Sequence, residues 1–259
     1  GFWFMKIDGC LFVLIGLLAM PAYATSGSAD VIGQGQGEIG VFRPLRLGLS
    51  PRDEVQVQPL AFFVLPHMTF KHLWFASDAL VLSSEHRLSY PTLALKMLRR
   101  PGIGGLVERE GEVPELVASQ HGILVSHQAS TELQYTFKAG LGAAARFASG
   151  QHWHSIEAPI IFARTASYHK GVTVHLGLDI DYALAPKWAL YVETDLFRTA
   201  YAKARWHFEE AIMFRWFVSQ TSRVEFGVKL SSAQYLYGKQ THILPLVDWV
   251  WDFEHGWVW

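Results

Sequence analysis

Between Leu133 and Phe147 every odd-numbered residue is apolar, while the even-numbered ones are Gln134, Thr136, Lys138, Gly140, Gly142, Ala144 and Arg146. A period of two belongs to a β-strand whose two faces meet different surroundings. The pattern returns from Val172 to Leu184, where Val172, Val174, Leu176, Leu178, Ile180, Tyr182 and Leu184 alternate with Thr173, His175, Gly177, Asp179, Asp181 and Ala183. Both stretches outrun the roughly five or six residues of a strand in an ordinary soluble sheet. They reach the roughly nine to eleven residues with which a tilted strand crosses a bilayer. An antiparallel transmembrane β-barrel is the expectation.

The start of the chain supports that compartment. Met5 and Lys6 open a weakly positive stretch, an apolar run covers Leu11 to Ala19, and Ala22-Tyr23-Ala24 offers the small-x-small pattern of a cleavage site. Residues 1–24 are therefore expected to be an export signal, with 1–4 an upstream extension and cleavage after Ala24. A transmembrane helix is the competing reading, but Cys10 to Met20 falls short of the roughly twenty residues a span needs, and Pro21 ends it. Cys10, the one cysteine, lies within this signal, so the exported chain is expected to have no disulfide and no cysteine-ligated metal. The division that follows is 25–37 as an N-terminal periplasmic segment and 38–259 as the barrel.

A net charge of −1 with evenly mixed signs provides no basic stripe, which excludes nucleic acid as the expected partner. Charged residues make up 17% of the chain, below the roughly 25% of typical soluble domains. A lipid-facing band flanked by aromatics accounts for the deficit.

Turn chemistry divides the chain into eleven candidate strands, near 38–49, 54–65, 67–77, 79–90, 115–127, 131–148, 168–184, 187–197, 205–217, 222–236 and 242–253. The longer connections, 91–114, 149–167, 198–204 and 237–241, alternate with short ones, as in barrels that keep one set of turns tight. An odd count would leave the two chain ends on opposite sides of the membrane. Either 38–49, interrupted at Pro44, is not a barrel strand or one strand is missing, so ten to twelve are expected, with ten slightly favoured.

Trp249, Trp251 and Phe253 share one face of the last segment, and the chain closes on Trp257-Val258-Trp259. This terminus resembles that of bacterial outer-membrane proteins, which commonly end on an aromatic residue read by the barrel-assembly machinery. Together with the export signal and the alternating strands, it makes the chain similar to the outer-membrane β-barrel superfamily, without indicating a subfamily. The resemblance implies an outer-membrane location, reached through the periplasm, with lipid, lipopolysaccharide and the assembly machinery as partners and small solutes or ions as possible cargo. A soluble periplasmic barrel or sandwich would alternate as well, but with shorter strands.

The non-lipid face concentrates charge. Lys138, Arg146, His175, Asp179, Asp181, Glu193, Asp195 and Arg215 are the candidate lumen-lining residues, with His207, Glu209, Glu225 and Lys229 on the same faces. Ionisable groups in a membrane structure must be paired or wet. The set reads either as the lining of a narrow channel or as a salt-bridged plug in which Arg146 and Arg215 neutralise the quadrant of Asp179, Asp181, Glu193 and Asp195. Four carboxylates could also hold a hard cation, and His152-Trp153-His154 could hold a softer one, yet neither spacing is diagnostic, so no metal and no cofactor is expected. The rival function is a rim-located lipid or lipopolysaccharide enzyme built on His154-Ser155 with Glu157, or on His86 with Ser89. Neither set completes a nucleophile–base–acid arrangement. Segment 91–114, with Leu93, Leu95, Met97 and Leu98 among Lys96, Arg99 and Arg100, is expected to form a short amphipathic helix at the rim or in the pore.

Overall fold

The computed structural model describes residues 27–98, 112–147, 161–169, 171–200, 206–235 and 238–255. Among them the alternation becomes twelve strands: β1 (Gln36–Gly40), β2 (Leu45–Gly48), β3 (Asp53–Val57), β4 (His67–Ala76), β5 (Leu80–Ser89), β6 (Leu116–Gln128), β7 (Leu133–Arg146), β8 (Val172–Ala185), β9 (Trp188–Thr199), β10 (Trp206–Phe217), β11 (Ser222–Tyr235) and β12 (Gly238–Glu254). Each pairs antiparallel with its sequence neighbour, and β1 pairs with β12 from Gln36↔Glu254 to Gly40↔Val250, closing the sheet into a barrel. Closure pairs the two edges that an open sheet would leave bare. Among the described residues three short helices interrupt the strands: α1 (Pro59–Phe62), α2 (Thr92–Leu98) and α3 (Ile161–His169).

The register follows from the period of two, because a one-residue slip would exchange the faces of a whole strand. Along β7 and β8, Thr136 faces Asp179 and Lys138 faces Gly177 on the inside, while Phe137 faces Leu178 on the outside. The partition is the reverse of a soluble protein's. Phe137 and Leu141 are 57% and 56% exposed, whereas Lys138 and Asp179 are 6% and 1% exposed.

With an even strand number the start of β1 and the end of β12 lie on one rim, where the connections are 49–52, 77–79, 129–132, 186–187 and 218–221. Three of these tight turns use the same device. Ser50, Ser130 and Ser219 each accept, on Oγ, the backbone N–H two residues ahead, from Arg52, Glu132 and Thr221 at 3.1–3.2 Å, so the serine hydroxyl shapes the reversal. At the opposite rim β3 is joined to β4, β5 to β6 and β7 to β8 by the longer connections.

Twelve strands, not ten, arise because segment 38–49 is two. Pro44 has no N–H to offer the ladder, and the chain reverses through residues 41–44, where the backbone N–H groups of Phe42 and Arg43 donate to the Asp248 carboxylate at 3.1 and 3.0 Å. The strand expected over 54–65 stops at Val57, since Pro59 starts α1, a favoured first position for proline. The strand expected from 168 begins at Val172, after Gly171 (φ 82°) turns the chain out of α3. The amphipathic helix expected within 91–114 is α2, which buries Thr92, Ala94, Leu95 and Leu98. Arg99 and Arg100 lie outside the described residues, as do the export signal, His152, His154, Ser155, Glu157 and the terminal Trp257 to Trp259.

Glycine is required where strands approach most closely. A Cβ on Gly227 would stand 2.0 Å from the carbonyl oxygen of Ile212 and 2.8 Å from Met213 Cα, both backbone atoms of the neighbouring β10. Gly227→Ala is expected to lower stability by about 1–3 kcal/mol, the usual range for forced overpacking. Urea titration of the refolded barrel followed by tryptophan fluorescence measures it, and a change below about 0.5 kcal/mol would contradict the β10–β11 contact.

Candidate functional site

The site is the barrel interior, which is built by ion pairing rather than by apolar packing. Lys138 of β7 reaches Asp179 of β8 at 2.7 Å and Asp195 and Glu193 of β9 at 3.1 and 3.4 Å. Across the barrel Lys229 of β11 meets Glu209 at 3.0 Å and Glu193 at 3.4 Å. From above, Arg164 of α3 donates from Nη1 to both carboxylate oxygens of Glu209 at 2.8 Å, and its Nη2 lies 3.7 Å from Asp195. His175 Nε2 completes the cluster at 2.7 Å from Asp195. Glycine makes room for it: a Cβ on Gly177 would sit 2.5 Å from both Lys138 Cε and Asp195 Oδ1.

A second cluster lies toward the rim where β1 starts and β12 ends. Glu225 receives Arg43 at 2.5 Å, Arg223 at 2.9 Å and Arg215 at 3.4 Å, while Arg215 also pairs with Asp181. Arg223 and Arg46 share Glu38 at 2.5 and 3.2 Å, and Arg46 reaches Glu54 at 2.7 Å. The carboxylates of these two clusters thus face cations at close range. That is the condition for keeping charge out of water.

Two non-strand segments also occupy the interior. Helix α3 packs Ile161, Phe162, Ala163 and Ala166 out of solvent, with Phe162 against His207 and Tyr235 at ring separations of 4.7 and 5.3 Å. The N-terminal segment, assigned from sequence to 25–37, enters beside β1. Lys71 Nζ donates to the carbonyls of Ser28 and Asp30 at 2.7 and 2.6 Å, Ala29 N donates to Ser126 Oγ at 2.7 Å, and Ile32 N donates to Glu54 Oε2 at 2.9 Å. Gly48 lets this strap pass, since a Cβ there would lie 2.1 Å from the Gly33 carbonyl oxygen.

Of the eight residues singled out in the sequence, Lys138, His175, Asp179, Glu193 and Asp195 form the first cluster, and Asp181 and Arg215 belong to the second. Arg146 does not join the acidic quadrant. It ends β7, eight residues beyond Lys138, about 26 Å away at roughly 3.3 Å per residue, and its Nε donates to the Tyr168 carbonyl at 3.2 Å. Arg215 does pair with Asp181, a member of that quadrant, while Asp179, Glu193 and Asp195 are neutralised instead by Lys138, Lys229 and Arg164. Arg164 escaped sequence reading because it sits in a long connection without a period of two; the signal available was the apolar run from Ile160 to Ala163, with Ala166 one helical step on.

The ammonium group of Lys138 occupies the position between Asp179 and Asp195 that a cation would take. His86 and Ser89 lie on opposite faces of β5: Ser89 is buried, with its hydroxyl donating to the Ala118 carbonyl at 3.4 Å, while His86 is exposed beside His121, their Nδ1 atoms 3.0 Å apart. They cannot act as nucleophile and base. At the upper rim Glu115 clasps Lys96 of α2 and Tyr90; the lysine ammonium first and the tyrosine hydroxyl second hold its carboxyl below the usual range.

No family model matches the chain, and no curated protein does. Among solved structures it is similar to the CymD monoaromatic hydrocarbon channel, at 11% identity and TM-score 0.39, over 85% of this chain and 51% of that one. It is similar to the KdgM porin in complex with disordered oligogalacturonate at 4% identity and TM-score 0.42, over 88% of each chain. OccAB4 of Acinetobacter baumannii matches at 8% identity and TM-score 0.43, over 84% of this chain and 53% of that one. The chain spans about half the length of the first and third.

Lys138→Met is expected to destabilise the barrel by about 3–5 kcal/mol, because it strands buried carboxylates. Arg146→Ala, on an exposed strand end, is expected to change stability by less than about 1 kcal/mol. Equal losses in urea unfolding would show that Lys138 is not the keystone of the first cluster.

Proposed function

We propose that this chain is an outer-membrane β-barrel of the porin-like kind held in a closed state, its lumen filled by ion pairs, by α3 and by the strap over residues 28–33. The observation that carries this reading is the inverted partition of the wall. Large apolar side chains such as Phe137, Leu141, Leu176 and Val247 are exposed, while Lys138, Asp179, Asp195 and Glu209 are buried. Water would penalise the first set; a hydrocarbon layer makes it the stable arrangement, because apolar atoms then meet apolar atoms. The tight turns gathered on the rim where β1 starts and β12 ends support a periplasmic orientation for that rim. Lipid and lipopolysaccharide are the partners this arrangement calls for, and small solutes or ions are the cargo if the plug moves.

Depth-dependent substitution tests the membrane assignment. Leu178→Arg, outward and midway along β8, is expected to cost about 2–4 kcal/mol in lipid vesicles, and Leu184→Arg, near the strand end, about 0–1 kcal/mol. Equal costs would argue against a hydrocarbon band at that height.

Planar-bilayer recording tests the closed state. The full exported chain is expected to show no steady conductance, and deletion of residues 27–33 is expected to produce openings, because it removes the partners of Lys71 and Glu54. A steadily conducting wild-type barrel would overturn the plug, as would a deletion that stays silent while remaining folded.

A further inference from the structure

On the outer wall of β4, β5 and β6 a line of polar side chains runs through an apolar surround. Ser84 and His86 share the outward face of β5, where the register sets Ser84 opposite His72 and His86 opposite His121. Their outward neighbours Phe70, Leu88, Ile123 and Leu141 are large, apolar and exposed. Ionisable groups at membrane depth are costly, and where they occur they mark function. Beside the line the wall is hollowed. A groove of about 720 Å³ on this outer face is lined by Ser84 with Trp74, Leu82, Ile123, Leu141 and Leu176, within the roughly 300–1,000 Å³ of small-molecule sites.

Hydrogen bonds give the polar line a direction. Trp74 Nε1 donates to Ser84 Oγ at 2.9 Å. An indole is a donor only, so it occupies a serine lone pair and leaves the hydroxyl proton for another partner. His86 Nε2 lies 3.2 Å from the same oxygen, and His86 Nδ1 lies 3.0 Å from Nδ1 of His121. A neutral imidazole that accepts at Nε2 carries its proton on Nδ1, and that proton points to His121. The order is donor, hydroxyl, base and orienting group, at the roughly 2.6–3.2 Å that a nucleophile and its base require. Trp74 is aimed by its own strand. The pairing of β4 with β5 shifts between Leu73 and Phe75, a bulge of the kind that redirects a side chain. His72, whose Nδ1 is 2.7 Å from Asp53 Oδ1, meets the indole edge-on at a ring separation of 4.6 Å.

We propose that this outer face is a serine esterase site for a carboxylic ester with a long acyl chain, with Ser84 the nucleophile, His86 the base and His121 the residue that positions the base. The apolar groove takes the acyl chain. Ser84 Oγ bonds to the ester carbonyl carbon as its proton passes to His86 Nε2. The bond from that carbon to the alcohol oxygen then breaks, His86 gives the proton to the departing alcohol, and the acyl group stays on Ser84. Water completes the reaction: its oxygen bonds to the acyl carbon, one of its protons passes through His86 to Ser84 Oγ, and the free acid leaves. The sum is ester and water to acid and alcohol, with no other reactant. The proposal rests on the lipid-facing assignment of the wall and is independent of the plug.

The test uses the full exported chain refolded in detergent, assayed with p-nitrophenyl dodecanoate and p-nitrophenyl acetate and labelled with an alkyl fluorophosphonate. Hydrolysis of the dodecanoate is expected with kcat/KM at least about tenfold above that of the acetate, since each buried methylene adds affinity. The label is expected on Ser84, located by fragmentation mass spectrometry. Ser84→Ala and His86→Gln are each expected to lower kcat by at least about a hundredfold. His121→Phe is expected to lower kcat by at least about tenfold with KM unchanged, and His121→Asn, whose Oδ1 accepts the His86 N–H, to restore most of it. A merely structural His121 would not separate those two variants. Gel mobility of unboiled against boiled samples verifies folding; should a variant fail it, the residue labelled in the unaltered chain decides. A folded barrel that neither hydrolyses nor takes the label would overturn the activity, a label on another residue would overturn the site, and equal turnover of the two esters would overturn the groove. Fatty acid released from phosphatidylethanolamine vesicles would make a phospholipid the source of the ester, and fatty acid released from lipopolysaccharide would make it lipid A. Release from neither would overturn a lipid substrate. Conductance and the arginine substitutions on β8, which decide the plug and the membrane face, are read separately from all of these.

Discussion

The buried pairing of Lys138 with Asp179 and Asp195 is the interaction on which the rest of the interior depends. A lone carboxylate out of water would protonate or drive the wall apart, so three acidic strand positions need a cation at one point between them. Lys138 reaches that point because Gly177 leaves its aliphatic stem a place against the wall. Once it is seated, Glu193 is shared with Lys229, Lys229 with Glu209, and Glu209 with Arg164. Helix α3 is thereby tied to three strands, β9, β10 and β11, through one guanidinium and its apolar face.

The same logic governs the lower cluster, with arginine in place of lysine. Glu225 and Glu38 each receive more than one guanidinium, whose planar fork of donors suits shared carboxylates better than a point-charge ammonium does. Arg43 is available only because residues 41–44 turn back at Pro44 and are pinned on Asp248. A local break in a strand therefore delivers a long-range partner. The strap over residues 28–33 extends this arrangement, with backbone carbonyls of Ser28 and Asp30 taking the Lys71 ammonium.

Much of the wall was legible in the residues themselves. Alternation from Leu133 to Phe147 and from Val172 to Leu184 assigned faces that the cross-strand register of β7 and β8 reproduces, because period two has one meaning in an extended chain. Serine and proline turns marked most hairpins for a local reason, since their geometry is decided within four residues. The segment over 38–49 was less legible: two strands of four and five residues are too short to display a period, and only closure of the barrel shows that both are needed. Helix α3 and the strap were illegible as interior elements, having no alternation and acquiring their place solely from strands distant in sequence.

By itself the sequence determined that the chain would alternate apolar and polar faces over long strands, which residues would share a face, and where most reversals fall. These are nearest-neighbour properties, written in side-chain period and turn chemistry. Which charges meet was decided only by the tertiary structure. Arg146 and Lys138 stand on the same face of the same strand, and nothing local distinguishes them as partners for Asp179. Closure at the register from Gln36↔Glu254 to Gly40↔Val250 sets the relative heights of all twelve strands, and those heights bring Lys138 level with the carboxylates and leave Arg146 at the rim, since attraction between charges is useful only at contact distance.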